Sequence, residues 1–246
     1  MHNFKVAVAQ IPSVNGDANK NIESHLKAID VAIEHQASIV IFPELSLTGY
    51  EPELASDLAF VIDDDRLHTF VSTASKNNIW IVVGAPVKFG SEIHIGSIIF
   101  SPDGAVSTYS KMNLHPGEER FFSVGKEPRV LEIDNHRVAL AICADTNNPL
   151  HAQVYAKDRA TVYAAGVLIT DGGYALDTEK LQSYAIEHDM LVVMANHNKP
   201  TGGWQPIGKS AAWDKNGRLS AASEDKDSII ISQQNNGTWE SRVIEM

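Results

Sequence analysis

Residues 38–50 read SIVIFPELSLTGY. After Ser38 the run IVIF has no polar alternation, so the strand it forms is buried on both faces and needs cover from two sides. Residues 79–83, IWIVV, repeat the pattern and read as a second, internal strand. Stretches of helical period surround these strands. Asp17 can cap a helix whose apolar positions Ala18, Ile22, Leu26, Ile29 and Ile33 recur every three or four residues. Leu67, Phe70, Val71 and Ala74 mark another helix, and residues 4–9 read as a first strand. Doubly buried strands alternating with amphipathic helices specify an α/β protein.

Farther along, the pattern changes. Strands at 95–100 and 105–109 flank SPDG, and strands at 129–133 and 136–142 flank Asp134 and Asn135, so hairpins join the mixture. A polar loop covers 112–126. Pro149 can open a third helix, followed by a strand at 161–164, a helix carrying Leu181, Tyr184, Ala185 and His188, and a strand at 191–195. Asn216-Gly217 turns a closing hairpin. Asn236-Gly237-Thr238 matches the glycosylation triplet but reads as a turn. IVIFPELSLTGY is weakly echoed by VLITDGGY, each a strand running into an acid and then Gly-Tyr. No linker interrupts the chain, so residues 1–246 read as a single domain in which helices cover a mixed sheet.

The formal net charge is −11, with no run of Lys and Arg, which argues against nucleic acid and anionic membrane as partners. Cys143 is the single cysteine, so no intrachain disulfide and no two-sulfur metal site can form. Ten histidines show no metal-ligand spacing, and no metal or other cofactor is expected. With neither a targeting segment nor a long apolar stretch at hand, the expected compartment is the cytoplasm.

Three polar groups stand at strand exits: Glu44 two residues after SIVIF, Lys111 two residues after Tyr109, and Cys143 directly after VALAI. Strand ends are favoured places for chemistry, because the sheet holds the backbone while the loop frees the side chain. Each residue alone also has an ordinary reading, as a packed thiol, a capping or solvated carboxylate, or a surface amine. The flanking words carry more: FPELSLTGY, YSKMNLHPGEERFFSVG and ICAD, in the order Glu, Lys, Cys, separated by 67 and 32 residues.

These words, together with VAVAQ, AIEHDMLVVMANH and GKSAAWDKNGRL, resemble the nitrilase superfamily of carbon-nitrogen hydrolases over nearly the whole chain. The resemblance implies a four-layer α-β-β-α sandwich of two mixed sheets covered by helices, with a catalytic triad at Glu44, Lys111 and Cys143. It also implies a supporting glutamate in Glu-x-x-x-Phe-x-x-Gly, met by Glu118, Phe122 and Gly125; Glu119 does not fit that spacing. The implied chemistry is coherent. A thiol needs a base to become a good nucleophile, a role for Glu44. Lys111 supplies a fixed charge beside the developing oxyanion, and the N–H of Ala144 can add a donor. Asp145 and Tyr50 complete the candidate substrate or oxyanion contacts.

A Cys-His hydrolase is the nearest rival. His136 lies seven residues before Cys143, an odd separation that puts the two on opposite faces of one strand. His115, His151 and His197 stay open as partners through space. No Gly-x-Ser-x-Gly elbow supports a serine hydrolase, and a noncatalytic binder of a small amide or a partner protein on the same fold is the remaining alternative. Trp204, in TGGWQP, either covers a pocket or is merely exposed. After the nucleophile the run is Cys143, Ala144, Asp145, Thr146, Asn147, Asn148, Pro149, without the aromatic and Arg of many amidase-like relatives, and Asn113 stands where a His often follows the lysine. The Cys-x-Asp form resembles amidases more than nitrilases, which tend to carry Cys-Trp-Glu. The expected reaction is therefore hydrolysis of a small amide or carbamoyl amine by water through a Cys thioester, with nitrile hydrolysis as the alternative. The resemblance also implies a homodimer or larger homo-oligomer.

Overall fold

The computed structural model describes residues 4–246. Its first half contains β1 (Lys5–Gln10), α1 (Ala18–Glu34), β2 (Ile39–Ile41), α2 (Ala55–Leu58), α3 (His68–Asn77), β3 (Trp80–Phe89), β4 (Glu92–Phe100) and β5 (Val106–Ser110). The second half contains β6 (Val130–Ile133), β7 (His136–Ile142), α4 (Pro149–Lys157), β8 (Val162–Val167), α5 (Asp171–His188), β9 (Leu191–Asn196), β10 (Ala211–Asp214), β11 (Gly217–Ala221), β12 (Ser228–Asn235) and β13 (Thr238–Glu245). The caps follow the sequence: Asp17 accepts from the Lys20 N–H at the start of α1, and Pro149 opens α4 behind Asn148.

Two mixed sheets result, in the orders β13-β12-β1-β2-β3-β4-β5 and β11-β10-β9-β8-β7-β6. Among the named strands, β1-β2-β3 and β7-β8-β9 pair in parallel, with antiparallel strands on either side. Strand periodicity sorts the core into layers. Val6, Val8, Ile39 and Ile41 of the first sheet share one cluster with Val138, Leu140 and Val162 of the second, so these residues fill the space between sheets. Their alternates Ala7, Ala9 and Val40 pack with Ile29 and Phe70 of α1 and α3. On the far side, Ala139, Ala141 and Tyr163 pack with Tyr155 and Tyr184 of α4 and α5. The expected four-layer arrangement is present, and IVI of β2 is buried throughout because it has a sheet on one face and helices on the other.

The closing hairpin departs from the sequence expectation. Beyond Asn216-Gly217 the chain returns to the first sheet, where β12 pairs antiparallel with β1, Val8 opposite Ile230. Asn236 and Gly237 form the β12-β13 turn with φ of 50° and 80°, the left-handed pair that a two-residue hairpin needs. The signal was the apolar run Ile229, Ile230, Ile231, buried like the other doubly covered strands. Among the described residues no helix is long and apolar enough to cross a membrane.

Candidate active site

Glu44 is held where the chain leaves β2. The backbone of residues 42–45 passes between two glycines: a Cβ on Gly84 would lie 2.2 Å from the Pro43 carbonyl oxygen, and one on Gly166 would lie 2.5 Å from that of Phe42. Only bare backbone permits this approach, which threads the strand exit between the two sheets. His197 donates from Nε2 to the Glu44 carbonyl at 2.7 Å. Burial lowers the His197 pKa to about 4, so it serves as a neutral brace. Behind it, His25 Nδ1 sits 2.6 Å from the Asn21 carbonyl and must carry the hydrogen there, leaving Nε2 to accept from Ser46 Oγ at 2.8 Å.

Lys111 follows β5 and is fully buried. Its Nζ donates to Glu44 Oε1 at 2.6 Å and to both oxygens of Glu118 at 2.8 Å, using all three ammonium hydrogens on two carboxylates. Glu118 is fixed from other sides as well, accepting the His115 N–H at 2.7 Å and the Tyr50 hydroxyl at 2.7 Å. The Glu-x-x-x-Phe-x-x-Gly spacing acquires a physical meaning here. Phe122 anchors the loop in the inter-sheet core, and the Gly125 N–H closes it on the Lys111 carbonyl at 2.7 Å. Glu119 points elsewhere, capping the Gly117 N–H.

Cys143 terminates β7 with φ of 41°, left-handed for a non-glycine residue, and opens a one-turn helix over Cys143–Asn147. Such a conformation costs on the order of 1–3 kcal/mol and persists only where the surroundings impose it. Its Sγ lies 3.6 Å from the Leu168 carbonyl oxygen. Burial and the nearby Glu44 push the thiol well above its ordinary pKa, against the pull of Lys111. Burial likewise raises Glu44 to about 7, with Lys111 opposing and Glu118 adding to the rise. For Lys111 burial works against the charge, yet Glu44, Cys143 and Glu118 together hold its pKa above the usual lysine value. The second oxygen of Glu44, Oε2, is buried without a hydrogen-bond partner, and the Cys143 thiol is among the groups that stabilise this carboxylate. A base and a thiol facing one another beside a fixed cation can pass a proton and stabilise a developing oxyanion.

A cavity of about 190 Å³ opens onto Glu44, Glu118, Cys143 and Tyr50. Burial and the two glutamates raise the Tyr50 pKa, so it stays a hydroxyl donor. Ala144 lines a shallower adjoining groove. Asp145 does not reach either space. Fully buried, it accepts from the Met112, Asn113 and Ile142 N–H groups and from Tyr109 OH, tying the lysine loop to the nucleophile turn. His151 donates from Nε2 to Tyr109 and accepts from Tyr163 OH at Nδ1, deep in the helix-side core. His136 stacks on Phe4 at the opposite end of β7, about 20 Å of strand from Cys143. Of the histidines weighed above, His115 alone reaches the cavity wall, its ring edge-to-face with Trp204 at 6.5 Å. Trp204 lines the rim and is 46% exposed. Thr201 holds its loop by accepting the Tyr50 N–H.

Sequence reasoning did not single out Leu168, Thr170, Gly173 and Asp177, which also line the cavity. The echo VLITDGGY contained Leu168, Thr170 and Gly173, as IVIFPELSLTGY contained Glu44 and Tyr50, whereas Asp177 lies beyond it.

The carbon-nitrogen hydrolase family model matches residues 5–242. Among curated proteins, the chain is 28% identical to a nitrilase of Pyrococcus abyssi over 237 residues, covering 93% of this chain and 88% of that one. It is 27% identical to a glutamine-dependent NAD(+) synthetase of Thermotoga maritima over 61% of this chain but only 27% of that protein. The fold matches an amidase of Nesterenkonia sp. AN1, solved as a double mutant with acrylamide, at a TM-score of 0.87 and 20% identity, covering 96% of this chain and 92% of that one.

Proposed function

Because the chain belongs to the carbon-nitrogen hydrolase family, we propose that it hydrolyses the C–N bond of a small amide or carbamoyl amine, with Cys143 as nucleophile, Glu44 as general acid-base and Lys111 as the electrostatic partner. The observation that carries this reading is Glu44 with Oε1 held by Lys111 and Oε2 buried without a hydrogen-bond partner, in the cavity that Cys143 also lines. Oε2 takes the Cys143 proton as the sulfur attacks the carbonyl carbon, and the charge passing to the oxygen develops near the Lys111 ammonium. The tetrahedral intermediate collapses as Glu44 returns that proton to the nitrogen, which leaves as ammonia and a thioester remains. Glu44 then takes a proton from water as the hydroxyl attacks the thioester. Sulfur departs, recovers the proton, and the carboxylic acid is released. Glu118 is a positioning residue, neutralising the remaining ammonium hydrogens so that Lys111 stays fixed. Asp145 holds the turn and the loop in register.

A resting thiol suits this scheme, because proton and sulfur charge move together only when substrate arrives. Amides are favoured over nitriles by the Cys-x-Asp sequence and by amidases such as the Nesterenkonia protein, solved also with butyramide. Assembly through the exposed Leu150, Val154, Leu176 and Ile186 of α4 and α5 into a homo-oligomer belongs to the same proposal. The test is ammonia release across small amides, carbamoyl amines and nitriles, with Cys143→Ala as control and mass spectrometry of an acyl adduct on Cys143. Turnover that survives in folded Cys143→Ala refutes the mechanism, and turnover of nitriles alone refutes the substrate class.

A further inference from the structure

We infer that Asp177 makes the cavity selective for short amides whose far end carries an ammonium group. The inference rests on the amide-hydrolase reading above and narrows its substrate. Three carboxylates line the cavity, those of Glu44, Glu118 and Asp177, and no Lys or Arg does. The nearest buried cation, Lys111, spends its three hydrogens on the first two. A substrate carboxylate would therefore enter a space of its own sign, beneath a chain of net charge −11.

Asp177 stands one turn after Gly173 on α5, and both line the wall. A Cβ on Gly173 would approach Asp177 Oδ2 to 3.2 Å, so the missing side chain is what lets this carboxylate lie along the helix surface. Its one basic neighbour is Lys180, whose Nζ lies 3.4 Å from Oδ1 in an ion pair at the rim and also donates to Asn147 Oδ1 at 2.5 Å, so a substrate ammonium group would share Asp177 with that lysine. The Asp177 side chain is only 22% exposed, so a cation beside it is partly shielded from water.

The cavity is small, about 190 Å³, so the test substrates are short amides. β-Alaninamide is one and places its ammonium group at the end remote from the scissile carbonyl. Butyramide is its neutral isostere, and malonamate is close in size with the opposite charge.

The experiment compares kcat/KM for these three at neutral pH and modest ionic strength. In the wild type, β-alaninamide should exceed butyramide about tenfold, or about 1.4 kcal/mol, with malonamate poorest. Asp177→Asn should bring the β-alaninamide to butyramide ratio close to one, Asp177→Glu should keep it above one, and Asp177→Lys should move preference toward malonamate. Ratios taken within each variant are insensitive to the fraction folded. A wild-type ratio near one, or an unchanged ratio in Asp177→Asn, overturns the inference while leaving amide hydrolysis standing. Binding of β-alaninamide and butyramide to Cys143→Ala, measured by calorimetry, reads the same preference without turnover. If the ammonium preference appears in binding but no amide is cleaved by the wild type, Asp177's role stands and the hydrolase reading falls.

Discussion

Replacing Lys111 by Met tests the central arrangement directly. The ammonium group is fully buried and donates to Glu44 and Glu118 at 2.6–2.8 Å, so Met leaves two buried carboxylates facing one another. Removing one partner of a buried ion pair costs about 3–5 kcal/mol, because the remaining charge is uncompensated. For a protein of this size each kcal/mol corresponds to roughly 2–4 °C in Tm, so a loss of about 6–20 °C is expected at pH 8. The pH dependence identifies the cause. Without Lys111, which opposes the rise that burial and Glu118 impose on Glu44, the folded Glu44 pKa moves further above its unfolded value, so the folded state binds more protons between the two. Stability therefore falls as pH rises through that interval. Urea unfolding at pH 5.5 and pH 8 should show the variant much closer to wild type at the lower pH. The triple variant Lys111→Met, Glu44→Gln, Glu118→Gln should recover most of the loss at pH 8. A deficit that is the same at both pH values, or a triple variant no better than the single one, would show that shape rather than charge holds this site together.

Other expectations concern rate and backbone. Glu44 must be ionised to take the thiol proton and burial raises it to about 7, so kcat/KM should rise about tenfold between pH 6 and pH 8. A profile already flat above pH 5 would contradict the role of Glu44. Glu44→Gln should lower kcat by a factor of about 10² or more while His115→Ala keeps most of it, the reverse being the signature of a Cys-His pair. Gly166→Ala places a Cβ 2.5 Å from the Phe42 carbonyl, and should cost about 1–3 kcal/mol in urea unfolding and displace Glu44, lowering kcat as well. Full activity in that variant would mean the strand exit is not held by this contact.

Much of this protein is legible along the chain. IVIF and IWIVV lack polar alternation, which demands cover on both faces, and the caps at Asp17 and Pro149 and the turn at Asp103-Gly104 act through neighbouring residues alone. The motif words around Glu44, Lys111 and Cys143 marked three strand exits before any contact between them was visible. Spacing also separated His136 from Cys143, since strand alternation is a local rule.

Other features depend on which exits meet. Asp145 reads as a substrate contact in a run that begins at the nucleophile, yet its oxygens are consumed by Met112, Asn113 and Ile142, because a loop far away in sequence folds onto it. The return of β12 to β1 joins residues more than 200 apart, and an apolar run of three isoleucines does not say which strand it will pair with. Asp177 looks like any helix-surface acid until the strand exits of both sheets close a cavity against Gly173. Local hydrogen bonding and hydrophobic period thus determined the elements, and the motif words marked the chemistry-bearing residues. The packing of one sheet on the other decided which of those residues share a space, and the charge that space presents to a substrate.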